Sequence, residues 1–96
     1  MFKHIVCFKL KDGSKESRER AKGVLLGMDG NVDTLRGLEV HVDELRSARS
    51  YDVILEVFLD SREALDVYQD DPYHCDVVKR YMKDAAVSSV TMDFEL

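Results

Sequence analysis

Four stretches of this chain repeat their apolar residues at every second position, and two intervals between them repeat at three to four; the order of these periods restricts the fold more than any other property. In "FKHIVCFKL", residues 2–10, Phe2, His4, Val6, Phe8 and Leu10 share one face, while Lys3, Ile5, Cys7 and Lys9 share the other. "TLRGLEVHVDE" alternates Leu38, Val40 and Val42 against Glu39, His41 and Asp43, which predicts a second strand. "YDVILEVFL", from Tyr51 to Leu59, sets Val53, Leu55, Val57 and Leu59 against Asp52, Ile54, Glu56 and Phe58 and predicts a third. "SSVTMDFEL" closes the chain as a fourth, with Val90, Met92, Phe94 and Leu96 expected inward.

The intervals read as helices. Ser14 is placed to cap a helix from Lys15 to about Met28, in which Ala21, Val24, Leu25 and Met28 recur at helical spacing before Asp29, Gly30 and Asn31 end it. "DSRE", residues 60–63, opens a second helix with Ala64, Leu65 and Tyr68 as its buried stripe. The only proline, Pro72, ends that helix because it cannot extend the hydrogen-bond ladder. A third helix is expected from near Tyr73, with His74, Val77, Val78, Tyr81 and Met82 on one face.

The resulting order, βαββαβ with its second helix split, is the ferredoxin-like α+β plan: a four-stranded antiparallel sheet with helices on one face, in a single domain over residues 1–96. Helices on one side leave the other face open. That face carries Ile5, Cys7, Ile54 and Phe58 among charges, too apolar to stay wet, so a homodimer is expected.

Composition narrows the function classes. With 45% hydrophobic and 34% charged residues the chain is an ordinary globular one, and a net charge of −5 repels phosphate backbones and anionic bilayers. The most basic stretch, "KESRERAK", carries two Glu and reads as a solvated helix face, so neither nucleic acid nor membrane is expected as a partner. No apolar run approaches the ~20 residues of a membrane span and no signal-peptide run opens the chain, which points to a cytoplasmic location with Cys7 and Cys75 as free thiols. His4 and Cys7, three apart on a strand, face opposite ways, and His74 and Cys75 diverge on a helix; no zinc spacing and no phosphate loop is present, so no metal and no cofactor are expected.

One constellation stands out. His4 alternates onto the face the helices cover, with Val6 and Phe8 beside it, and Tyr68 and His74 fall on the inward stripes of the two helical segments that flank Pro72. The break at Pro72 lets those segments diverge and opens a gap that one continuous helix would close. Two imidazoles and a phenol suit abstraction of a proton next to a carbonyl, with a neutral ring as base and a second group on the enolate oxygen. The same residues also suit a plain core: a satisfied histidine, a tyrosine with its hydroxyl at the rim, and a first-turn histidine bonded to backbone.

"FKHIVCFKLKDG", "YDVILEVFLDSREALDVYQDDPYHCDVV" and the strand-forming end together resemble the stress-responsive A/B barrel (Dabb) family over almost the whole chain. The early Lys-His before an apolar strand, the Asp-Ser turn into "EALDVYQ" and the Pro-x-His step in "DPYH" carry the resemblance. It implies a dimeric α+β barrel in which the open faces of two sheets pack together. One plant branch of the family consists of polyketide cyclases that close an aromatic ring without a cofactor, and their strand His, helix Tyr and post-Pro His correspond here to His4, Tyr68 and His74. Their bulky aromatic helix pocket corresponds to Val24, Leu25 and Met28, and Asp71 stands where the family often has His before Pro. Three functions therefore stay open: a dimer binding a small amphipathic or aromatic molecule between sheet and helices, a cofactor-free cyclase or isomerase, and a purely structural dimer.

Overall fold

The computed structural model describes residues 1–96, and its elements follow the expected order: β1 (Phe2–Leu10), α1 (Lys15–Leu26), β2 (Gly37–Val42), β3 (Val53–Leu59), α2 (Arg62–Gln69), a π-helical stretch (His74–Lys79) running into α3 (Arg80–Ala85), and β4 (Ala86–Glu95). Both expected caps form. The Ser14 hydroxyl accepts from Ser17 N–H and the Ser61 hydroxyl from Ala64 N–H, each at 3.2 Å, satisfying donors that a helix start leaves free. The chain leaves α1 through Gly30, whose φ of +80° is open to glycine at no steric cost.

The four strands form one antiparallel sheet in the order β2-β3-β1-β4. Phe2, His4, Val6 and Leu10 of β1, Val40 of β2, and Val53, Leu55, Val57 and Leu59 of β3 are buried under Ala21 and Leu25 of α1, Tyr68 of α2, and Val78 and Met82 beyond the proline. Met28 and Val32, just past α1, complete this core.

At one end of the sheet the β2–β3 connection is pinned by a buried carboxylate. Asp52 accepts from the Leu10 N–H at 2.7 Å through one oxygen and from the Arg46 guanidinium through the other. Burial pulls its pKa up, but the Leu10 N–H and Arg46 outweigh that and hold it below the usual carboxylate value. Arg46, at φ 55°, also donates its backbone N–H to Asp43, whose carbonyl takes Arg18 of α1.

Two expectations are overturned. Val90, Met92, Phe94 and Leu96 do not face inward: β4 pairs Lys3 with Phe94, Ile5 with Met92 and Cys7 with Val90, which puts these apolar residues on the open face. They are 49% (Val90), 69% (Met92), 37% (Phe94) and, past the strand, 64% (Leu96) exposed. Ser89, Thr91 and Asp93 take the helix side instead, opposite Phe8, Val6 and His4. On the helices, Val77 is exposed rather than buried. The wider π-turn rotates it out while keeping His74, Val78 and Met82 in one buried line, whereas a continuous α-helix would carry residues eight apart about 80° around its axis.

The open face is therefore more apolar than the first strands alone imply. Phe58 lies flat across β2 above Gly37, where an added Cβ would stand 3.0 Å from the ring. Lys3 Nζ sits 5.0 Å from the Phe58 centroid and 2.7 Å from Glu56. Cys7 lies on this face, Cys75 on the helical side, and both are free thiols.

Candidate functional site

The break at Pro72 leaves the carbonyls at the end of α2 short of helical partners: that of Tyr68 keeps a turn bond from the Asp71 N–H at 3.2 Å, and the next helical segment supplies further donors. Asp71 caps that segment by accepting from the His74 N–H at 3.1 Å. The His74 ring turns back so that Nδ1 donates to the Tyr68 carbonyl at 3.0 Å. The Gln69 carbonyl receives Lys79 Nζ at 2.8 Å and the Cys75 thiol at 3.2 Å. A carbonyl only accepts, so Nδ1 of His74 carries the proton, and Nε2 of the neutral ring keeps its lone pair. Burial lowers the pKa of His74, the nearby Lys79 charge adds to that, and both favour this neutral form against the carbonyl bond and Asp71.

Tyr68 and His4 build the rest. The Tyr68 ring stacks on His74 at 4.2 Å and 24° and meets His4 edge-on at 5.9 Å, so the three expected residues do come together. Tyr68 is fully buried, however, and its hydroxyl donates to the Met28 sulfur at 3.6 Å. Burial, with a smaller contribution from Asp71, pushes that phenol well above its ordinary pKa. Tyr68 is thus a wall between two imidazoles, with its hydroxyl engaged in the core. His4 donates Nδ1–H to the carboxylate of Asp93, its cross-strand neighbour on β4.

These side chains border a cavity of about 410 Å³ between sheet and helices. Val6, Phe8, Leu55, Val78 and Met82 give it an apolar floor, and His4, His74 and Gln69 supply polar atoms. Ser88, Ser89 and Thr91 of β4, with Ala86 and Val87 before them, and Lys79 and Lys83 complete the lining. Val6 and Phe8 stand where the sequence places them. Val24, Leu25 and Met28 do not line the cavity: Leu25 and Met28 are fully buried core and Val24 is half-buried on α1. The physical reason is that the space opens at β4 and α3, where the covering layer ends, rather than under α1.

Asp93 and the β4 hydroxyls are the members that sequence reasoning missed. Their signal was present in the alternation Ser89, Thr91, Asp93, but it is a polar stripe facing inward. The residues with metal-ligand chemistry gather elsewhere, on the open face, where ligand atoms of Glu39, His41 and Glu56 lie within 4.8 Å of one another. There Glu56 already holds Lys3, and His41 stands 3.4 Å from Glu39.

A family model, the stress responsive A/B barrel domain, matches residues 2–96. Among solved structures, a dimeric protein of unknown function with a ferredoxin-like fold from Bacteroides fragilis superposes with a TM-score of 0.82 at 21% identity, covering 99% of this chain and 95% of that one. A protein from Arabidopsis thaliana gives 0.84 at 19% identity over 100% and 95%. A hydroxynitrile lyase from Passiflora edulis gives 0.80 at 13% identity over 99% and 92%. No curated protein matches the chain.

Proposed function

The chain belongs to the stress responsive A/B barrel family, and on that footing we propose that it acts as a homodimer, joined through the open sheet faces, whose subunits each bind a small amphipathic or aromatic molecule in the cavity beside His4 and His74. The observation that carries this reading is the cavity itself. A space of about 410 Å³ with an apolar floor and a neutral imidazole on its wall has the size and polarity of a small-molecule site. A packed structural dimer has no use for such a gap, since an unfilled volume forfeits contacts. The dimer is supported by the exposed Val90, Met92 and Phe94 beside Ile5, Ile54 and Phe58, and by the dimeric Bacteroides fragilis structure of the same fold.

A second reading, cofactor-free acid–base catalysis, rests on the two imidazoles. His74 Nε2 would take a proton next to a carbonyl, and His4, oriented by its Nδ1 bond to Asp93, would stand beside the enolate oxygen. The hydroxynitrile lyase of Passiflora edulis is an enzyme on this fold.

Thermal-shift screening with aromatic and β-keto compounds tests both readings. Wild type should be stabilised by members of the set. His74→Ala, which loses the bond to the Tyr68 carbonyl, should cost about 1–2 kcal/mol and lose most of the ligand shift. Equal shifts in both proteins would remove His74 from the site. With a binder in hand, binding or turnover that uses the Nε2 lone pair should fall on acidification with a midpoint below the ordinary histidine value of about 6.5, because burial depresses the His74 pKa. A midpoint above that value would exclude His74 as the acceptor.

A further inference from the structure

The charge around the cavity runs against the charge of the chain. The protein carries 19 acidic and 14 basic residues, yet the lining contains two lysines and no carboxylate. The carboxylates bonded to lining residues are already engaged, Asp93 by His4 and Asp71 by the His74 N–H. Lys79 and Lys83 are four apart and so lie on the same side of the helical segment. Lys79 shares its ammonium with the Gln69 carbonyl, which holds it at the cavity, and its charge reaches His74. Lys83 has no ion-pair partner.

We propose that the ligand of this cavity carries a single oxyanion head group, held at the mouth by Lys79 and Lys83, with its apolar body against Val6, Phe8, Leu55 and Met82. The proposal rests on the binding reading above and gives that ligand a charge and an orientation: body inward, anion outward. An ammonium beside a low-dielectric wall attracts an anion more strongly than it would in open water. His4 is buried and both lysines are exposed, so the apolar end of the ligand is the part turned toward His4.

Calorimetry with three probes of one shape tests it: 4-butylbenzoate, 4-butylphenyl phosphate and 4-butylbenzamide. Wild type should bind at least one of the anions about tenfold more tightly than the amide at low salt, and the preference should shrink as salt rises. Lys83→Glu should abolish the preference for the anions over the amide. Lys79→Met should reduce it with the amide again as internal control for any disturbance of the Gln69 carbonyl. Equal binding of anion and amide by wild type would overturn the head-group assignment and leave the cavity reading standing. If none of the three binds, both fall.

Discussion

Asp52→Ala should lower the stability of the fold by about 2–3 kcal/mol, and its melting temperature by about 10–15 °C for a domain of this length. The substitution strands the buried Leu10 N–H without an acceptor and leaves Arg46 without its main partner. The Arg46 side chain is about one-third exposed, so its share of the loss is discounted for solvent, and most of the effect comes from the orphaned N–H. Asp52→Asn keeps an oxygen for Leu10 and should lose about half as much. The pH dependence has a defined sign. The folded carboxyl titrates below its unfolded value, so its contribution is complete above about pH 4 and disappears as pH falls through the lower folded pKa. Denaturant melts from pH 7 down to 2 should show wild type and Asp52→Asn converging in acid. A constant gap between them would disprove the linkage.

If the open faces join two copies as proposed, Phe58→Asp should leave the protein a monomer, weakening association by about a thousandfold. Phe58 is held in place on the open face by Gly37 beneath and Lys3 beside its ring, and it stays half-buried there. The variant would place a second carboxylate beside Glu56 with only Lys3 to share between them, and two copies would bring these like charges together. Phe58 lies outside the buried core, so the subunit should remain folded. Light scattering at micromolar concentration reads the mass directly. A wild-type monomer, or an unchanged dimer in the variant, would remove the open face as the interface.

Most of the fold was legible because three strands and two caps obey one rule each: apolar residues face the core, and short hydroxyl side chains start helices. β4 broke the first rule. Its apolar residues face the open side and its polar residues face the helices, because the space beneath it is a cavity with water-compatible walls rather than packed core. Reversing that strand in the sequence reading turned Asp93 away from His4, and so the partner of the first histidine stayed hidden. His4, Tyr68 and His74 were brought together correctly from their periodicities, since each occupies a buried position. Their division of labour was not legible. Whether the Tyr68 hydroxyl faces a cavity or Met28, and which His74 nitrogen holds the proton, depend on contacts between segments far apart in the chain. The π-turn carries no composition of its own, and only the burial of His74, Val78 and Met82 against the exposure of Val77 discloses it.

The alternation of β4 gives one strand two audiences. Ser89 and Thr91 border the cavity, while Val90 and Met92, one residue away, meet whatever covers the open face. Within the subunit the strand is hydrogen-bonded only to β1. A ligand that steadied β4 from one side would prepare the surface that a second subunit on the open face needs, and the second subunit would favour the ligand by the same factor, since coupling between two binding events is reciprocal. Affinity for a small molecule would then depend on how concentrated the protein is, with a dilute chain binding more weakly than a concentrated one.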